Sequence, residues 1–147
     1  MNDKPNNIFL NDKLQLLQAR QIREILNLML DITKELSIYV KRDLIEFKPQ
    51  LPKSLMAKFD TILLLELRNW TIQSAILDRI DFSFEAGFGK ENIGSVLTIP
   101  YEAVYQILVN KDIIYINQTS LYLLKDEKID SYEMFKNNPL NSRLIDE

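Results

Sequence analysis

The chain has 147 residues, 46% hydrophobic, 27% charged and 10% aromatic, close to the averages for one soluble globular domain. It contains neither cysteine nor histidine, which excludes thiolate nucleophiles, imidazole acid–base catalysis, Cys/His zinc sites and Ser-His-Asp triads together. The net charge of −3, with 18 basic and 21 acidic residues interspersed along the chain, does not supply the basic footprint of a nucleic-acid binder.

No apolar run approaches the ~20 residues that span a bilayer, and Met1 to Phe9 lacks the charged-then-apolar pattern of a signal peptide. No membrane association and a cytoplasmic location are therefore expected. Asn117-Gln118-Thr119 formally matches a glycosylation sequon and, without an export signal, reads as turn chemistry. The expected organisation is a flexible lead-in over 1–10, a single domain over 11–125 and a mobile tail over 126–147.

A helix is predicted over 11–36, capped by Asn11 or Asp12, because Ile22, Ile25, Met29, Ile32 and Leu36 recur at steps of three and four. Leu26, Leu28 and Leu30 add apolar surface beyond one stripe. Two readings stay open: deep burial within the domain, or a second face packed on another subunit. Ser37 to Lys48 contains one or two strands, ended by Pro49 and Pro52, which have no amide to donate. Thr61 to Leu67 is an apolar run that suggests a central strand, followed by strands over Trp70–Ala75 and Arg79–Glu85. The last alternates Ile80, Phe82 and Phe84 against Asp81, Ser83 and Glu85.

The three glycines, Gly87, Gly89 and Gly94, mark a turn or bulge that needs positive φ or close backbone approach. Ser95 to Ile99 reads as a strand, Tyr101 to Val109 as a short helix begun by Pro100, and Ile113–Ile116 with Leu121–Leu124 as a hairpin joined by Asn117 to Ser120. The order of elements indicates an α+β fold: a long N-terminal helix, an antiparallel meander curled into a partial barrel, and one short helix.

Catalysis without His or Cys needs carboxylates, a lysine or an oxygen-ligated metal. Asp78, Asp81 and Glu85 are near in sequence but match no acid–base or metal-loop spacing, and no phosphate loop is present, so neither enzyme activity nor a cofactor is expected. Asp81-Phe82-Ser83 followed by Gly87 is faintly similar to the Asp-x-Ser-x-x-Gly element of PilZ cyclic-dinucleotide receptors, which leaves a small-ligand receptor as an alternative function. A structural dimer serving some other partner is a further one. Arg68, Asn69 and Trp70, with Phe84, Phe88 and Tyr101 around the glycine turn, suit the wall of a peptide groove, although Phe82 and Phe84 suit a core role better.

The stretch from Arg20 to about Ile116 resembles the stringent starvation protein B family, specificity-enhancing factors of the ClpXP protease, in its alphaproteobacterial branch. The resemblance runs through ARQIREILNLMLDITKEL and FKPQLPKSLMAKFDTILLLELRNWTI and is most specific in DRIDFSFEAGFGKENIGSVLTIPYEAV. It covers about two-thirds of the chain as a dispersed pattern, with Phe88-Gly89-Lys90 where the family has Phe-Gly-Gly. It implies a long N-terminal helix packed on a curled antiparallel sheet, a partly open SH3-like or Sm-like barrel, and a non-enzymatic homodimeric adaptor that binds the polar N-terminal part of the tmRNA-encoded (ssrA) tag and delivers tagged polypeptides to the ClpX unfoldase. Carried onto this sequence, it implies peptide-binding positions at Arg68, Asn69, Trp70, Phe84, Ala86, Phe88 and Tyr101, and a dimer face at Ile25, Leu28, Met29 and Ile32. The family's ClpX-docking peptide would fall at Arg143 to Ile145.

Overall fold

The computed structural model describes residues 7–126. The tail beyond Asp126, including Arg143 to Ile145, and the first six residues of the lead-in lie outside the described residues.

Helix α1 (Asp12–Ile32) starts where Asn11 places its side-chain oxygen 3.0 Å from the Leu14 amide, satisfying one of the helix's free donors. It ends four residues before the expected limit of Leu36. Thr33 is already extended, and the β-favouring run Ile38-Tyr39-Val40 draws Leu36 into strand β1 (Glu35–Lys41), where it is buried. Ahead of α1, Ile8–Leu10 forms a 3₁₀ turn, with Phe9 stacked on Tyr122 at 5.1 Å between ring centroids.

Two four-stranded antiparallel sheets follow. In the first, β3 (Ile62–Arg68), β1, β7 (Val104–Val109) and β8 (Asp112–Ile116) lie in that order. In the second, the order is β2 (Glu46–Lys48), β6 (Ile93–Pro100), β5 (Asp81–Phe88) and β4 (Ile76–Leu77). Inward residues of both sheets, among them Ile38, Val40, Leu65 and Ile107 from the first and Phe47, Phe82, Phe84, Leu97 and Ile99 from the second, join one core with Ile22 and Leu26 of α1. A smaller cluster of Tyr39, Ile62, Tyr105 and Leu108 occupies the other face of the first sheet, with Leu121 of α4 (Gln118–Asp126) packed against it. The α+β class and the helix-on-antiparallel-strands arrangement match the sequence reading; the sheets do not close into a barrel.

Several local expectations are corrected. The run Ile62–Arg68 is an edge strand rather than a central one, because only β1 pairs with it. Trp70–Gln73 is a helical turn, α3, not a strand: Asn69 takes φ 53° and breaks the extended path, as asparagine tolerates better than most residues. Tyr101–Val109 is not a helix. A 3₁₀ turn at Tyr101–Ala103 leads directly into β7, whose first five residues are all buried, so that no period-two pattern survives for the sequence to reveal. The last hairpin is β7–β8, turned by Asn110 and Lys111 with φ of 53° and 73°, the paired positive angles of a type I′ turn. Leu121–Leu124 therefore belongs to α4, so the fold has several short helical segments, α2 (Lys53–Met56) among them, where one was expected. Ile80 precedes β5 and is exposed rather than facing inward with Phe82 and Phe84.

Candidate functional site

The site is built on the hairpin of β5 and β6. Its turn runs from Gly89, at φ 76°, to Asn92, at φ 52°, and the register places Gly87 opposite Gly94 and Glu85 opposite Val96. The glycine pair leaves a stretch of the outer sheet face without side chains. A Cβ at Gly94 would meet nothing within 4 Å, whereas one at Gly87 would fall 1.9 Å from the Asn92 side-chain oxygen. A side chain at 87 would have to displace the Asn92 amide, whereas position 94 opens onto free space.

One wall rises from the end of β3. Leu67 turns into the core, Arg68 stays outside with its guanidinium 2.8 Å from Glu66, and the positive φ of Asn69 redirects the chain so that Trp70 opens α3. Trp70 is 60% exposed, and its indole N–H donates to Glu85 Oε1 at 2.9 Å. Ser74 secures the same turn: its hydroxyl donates to the Thr71 carbonyl and accepts from the Glu85 amide, both at 2.8 Å. These bonds fix the aromatic plate and the carboxylate relative to β5. The opposite wall is Lys48 and Pro49 at the end of β2, where Ser95 Oγ donates to the Pro49 carbonyl at 2.9 Å.

Between the walls lies a groove of about 550 Å³, floored by Gly87 and Gly94 and bordered by Val96 and Asn92. Strand β4 covers only Phe82 and Ser83 of β5, so β5 has no strand neighbour on that side from Phe84 onward. The Glu85 amide faces this side, toward Ser74, and backbone direction repeats every second residue in a strand, so Gly87 presents its main chain to the open edge beside Trp70.

The structure brings two of the seven expected peptide-binding residues, Trp70 and Ala86, into this groove, with Arg68 and Asn69 leading up to it. The other three are placed elsewhere. Phe84 is buried in the core, 6.0 Å from Phe82 between ring centroids. Tyr101 is buried at the far end of the hairpin, stacked on Phe82 at 5.5 Å, with its hydroxyl donating to the Asp78 carbonyl. That burial pushes its phenol up to about 12. Phe88 is half-buried, its ring 5.9 Å from both Phe47 and Phe59. Lys48, Pro49, Thr71 and Val96 were not foreseen. The cross-strand glycine pair was legible, since Gly87 and Gly94 are symmetric about a four-residue turn, but nothing local ties Lys48 to that turn.

On α1 the expected dimer face divides. Ile25 and Met29 pack against the domain's own core, as does Leu30, while Leu26 is buried outright. Leu28 and Ile32 are exposed by 52% and 63%, and Leu17, three helical turns before Leu28, is exposed with them. Leu28 borders a wide groove of about 1010 Å³ that also takes in Glu24, Asp31, Asp78 and Arg79.

Among the described residues, no three acidic side chains converge as a metal site, and no helix is long and apolar enough to cross a membrane. Compared with known proteins, the chain matches no family model and no curated protein.

Proposed function

We propose that this chain is a non-enzymatic adaptor that holds the polar N-terminal part of the tmRNA-encoded tag in the groove over Gly87 and Gly94 and delivers tagged polypeptides to the ClpXP protease in the cytoplasm. The observation that carries the reading is the groove itself: an open strand edge at Gly87 beside an exposed, hydrogen-bonded Trp70, facing a lysine across a side-chain-free floor. An extended peptide adds its main chain to such an edge and lays alternate side chains on the walls. The resemblance of the sequence to the stringent starvation protein B family supplies the identity of the peptide.

Two copies joined through Leu17, Leu28 and Ile32 of α1 present two grooves. Holding cargo and unfoldase on one scaffold makes transfer nearly intramolecular, so each contact needs only modest affinity. A fluorescence-anisotropy titration of labelled tag peptide, beside a peptide of scrambled order, tests the reading. Saturable binding of the true tag alone is expected; equal binding of both peptides, or of neither, overturns it.

A further inference from the structure

The turn that joins β5 to β6 carries a polar side chain held in place over the groove floor. Asn92 closes the turn, its backbone N–H donating to the Gly89 carbonyl at 3.1 Å, and it takes φ 52°, a left-handed angle that asparagine accepts more readily than most residues. From there its side chain lies back over Gly87. The point where a Cβ at 87 would stand is 1.9 Å from Asn92 Oδ1, 2.7 Å from its Cγ and 3.3 Å from its Nδ2. The side-chain amide thus fills the notch that the missing Cβ leaves.

Held there, Asn92 is exposed, and among the described residues no group hydrogen-bonds its side-chain amide. A surface side chain ordinarily loses rotamer freedom when it binds something; this one has given up part of that freedom already.

The floor beside it is bare. Gly94, paired with Gly87 across the hairpin, has nothing within 4 Å of where a Cβ would be, and both glycines are exposed. Glycine inside a strand weakens it and often marks a place where another backbone comes close. A primary amide offers one acceptor oxygen and two donor hydrogens. Each residue of an extended chain turns its own N–H and C=O toward the same edge. One asparagine side chain therefore matches one residue of an extended peptide at two points, Oδ1 accepting its N–H and Nδ2 donating to its C=O.

We infer that Asn92 is the main-chain hook of the groove: its side-chain amide holds one residue of the bound peptide by that residue's N–H and C=O as the peptide crosses the floor at Gly94. This role rests on the reading of the groove as a peptide site and adds that part of the grip is indifferent to the peptide's side chains. Trp70 offers a surface to those side chains, and Asn92 fixes where the backbone lies.

The test is an anisotropy titration of labelled tag peptide with the parent chain, Asn92→Gly and Asn92→Asp, repeated with tag peptides N-methylated at one main-chain nitrogen at a time. Glycine accepts the left-handed angle freely, so Asn92→Gly keeps the turn and removes the hook. Asn92→Asp also tolerates that angle and keeps an acceptor while losing the donor. Asn92→Gly is expected to bind the tag about tenfold more weakly while its melting temperature moves little, and Asn92→Asp to be weakened as well. One N-methylated peptide binds the parent about tenfold more weakly, yet binds Asn92→Gly as the unmodified peptide does, the coupling expected of two groups that bond each other. Full affinity in Asn92→Gly overturns the hook and leaves the groove standing. An N-methyl series with no position coupled to Asn92, or coupling to a side-chain replacement in the peptide instead, does the same. Absence of tag binding by the parent chain overturns the peptide reading of the groove, and the hook with it.

Discussion

Phe84 and Trp70 sit close together in the sequence reading of the site, and the structure assigns them opposite work. Phe84 is 1% exposed and packs on Phe82 within the main core. A phenylalanine side chain buries roughly 150–250 Å², which at ~25 cal/mol per Å² corresponds to about 4–6 kcal/mol, an upper bound because an unfolded chain already buries part of that area. Phe→Ala substitutions in cores cost about 3–5 kcal/mol, and Phe84→Ala is predicted to fall there. A chain of this size loses roughly 3–5 °C of melting temperature per kcal/mol, so the drop is on the order of 10–20 °C. Trp70→Ala removes a mostly exposed ring and one surface hydrogen bond and costs about 1 kcal/mol or less. Urea unfolding followed by far-ultraviolet circular dichroism, which does not depend on the tryptophan, measures both. If Phe84→Ala unfolds within ~1 kcal/mol of the parent but no longer binds the tag, Phe84 is a groove residue and the assignment is refuted.

Three further outcomes are expected. Gly94→Leu projects into open space from a residue without positive φ, so the fold keeps its stability while the filled groove loses about tenfold or more in tag affinity, ~1.4 kcal/mol or above, by anisotropy titration; undiminished affinity places the peptide elsewhere. Leu28→Asp converts a dimer to a monomer in light scattering without lowering the melting temperature, since Leu28 lies half outside the core; a monomeric parent protein contradicts this. The Tyr101 phenol has its folded pKa raised above 10 by burial, so the neutral form is favoured in the fold. Its stabilisation is complete below pH 10 and is lost as pH rises toward about 12. Unfolding free energy therefore falls over that window, and Tyr101→Phe makes the fall shallower, leaving the part due to Tyr115, whose pKa burial also raises.

Much of the fold was legible where one face of an element is dry and the other wet. The three–four spacing of α1 with its Asn11 cap, the alternation of Phe82 and Phe84 in β5 and the glycine turn all carry such a signal. It vanishes in β7, where both faces are covered: Ile107 belongs to the main core and Tyr105 and Leu108 to the second cluster. A fully buried strand and a buried helix then look alike in sequence. The Asn110-Lys111 turn lacks the glycine that usually advertises a type I′ hairpin, which hid the partner of β8. For the site, alternation alone already turned Phe84 inward, while the resemblance placed it in the groove; its burial agrees with the alternation. Lys48 and Pro49 reach the groove only through the pairing of β2 with β6, a long-range contact that no local pattern announces.

Trp70 is the only tryptophan in the chain and forms a wall of the proposed groove, so its emission reports directly on occupancy. Titrating unlabelled tag peptide into the parent protein while recording tryptophan fluorescence is predicted to give a saturable change, absent with the scrambled peptide. Binding detected by anisotropy with no change in Trp70 emission, or no binding of the tag at all, contradicts a peptide site over the Gly87–Gly94 pair.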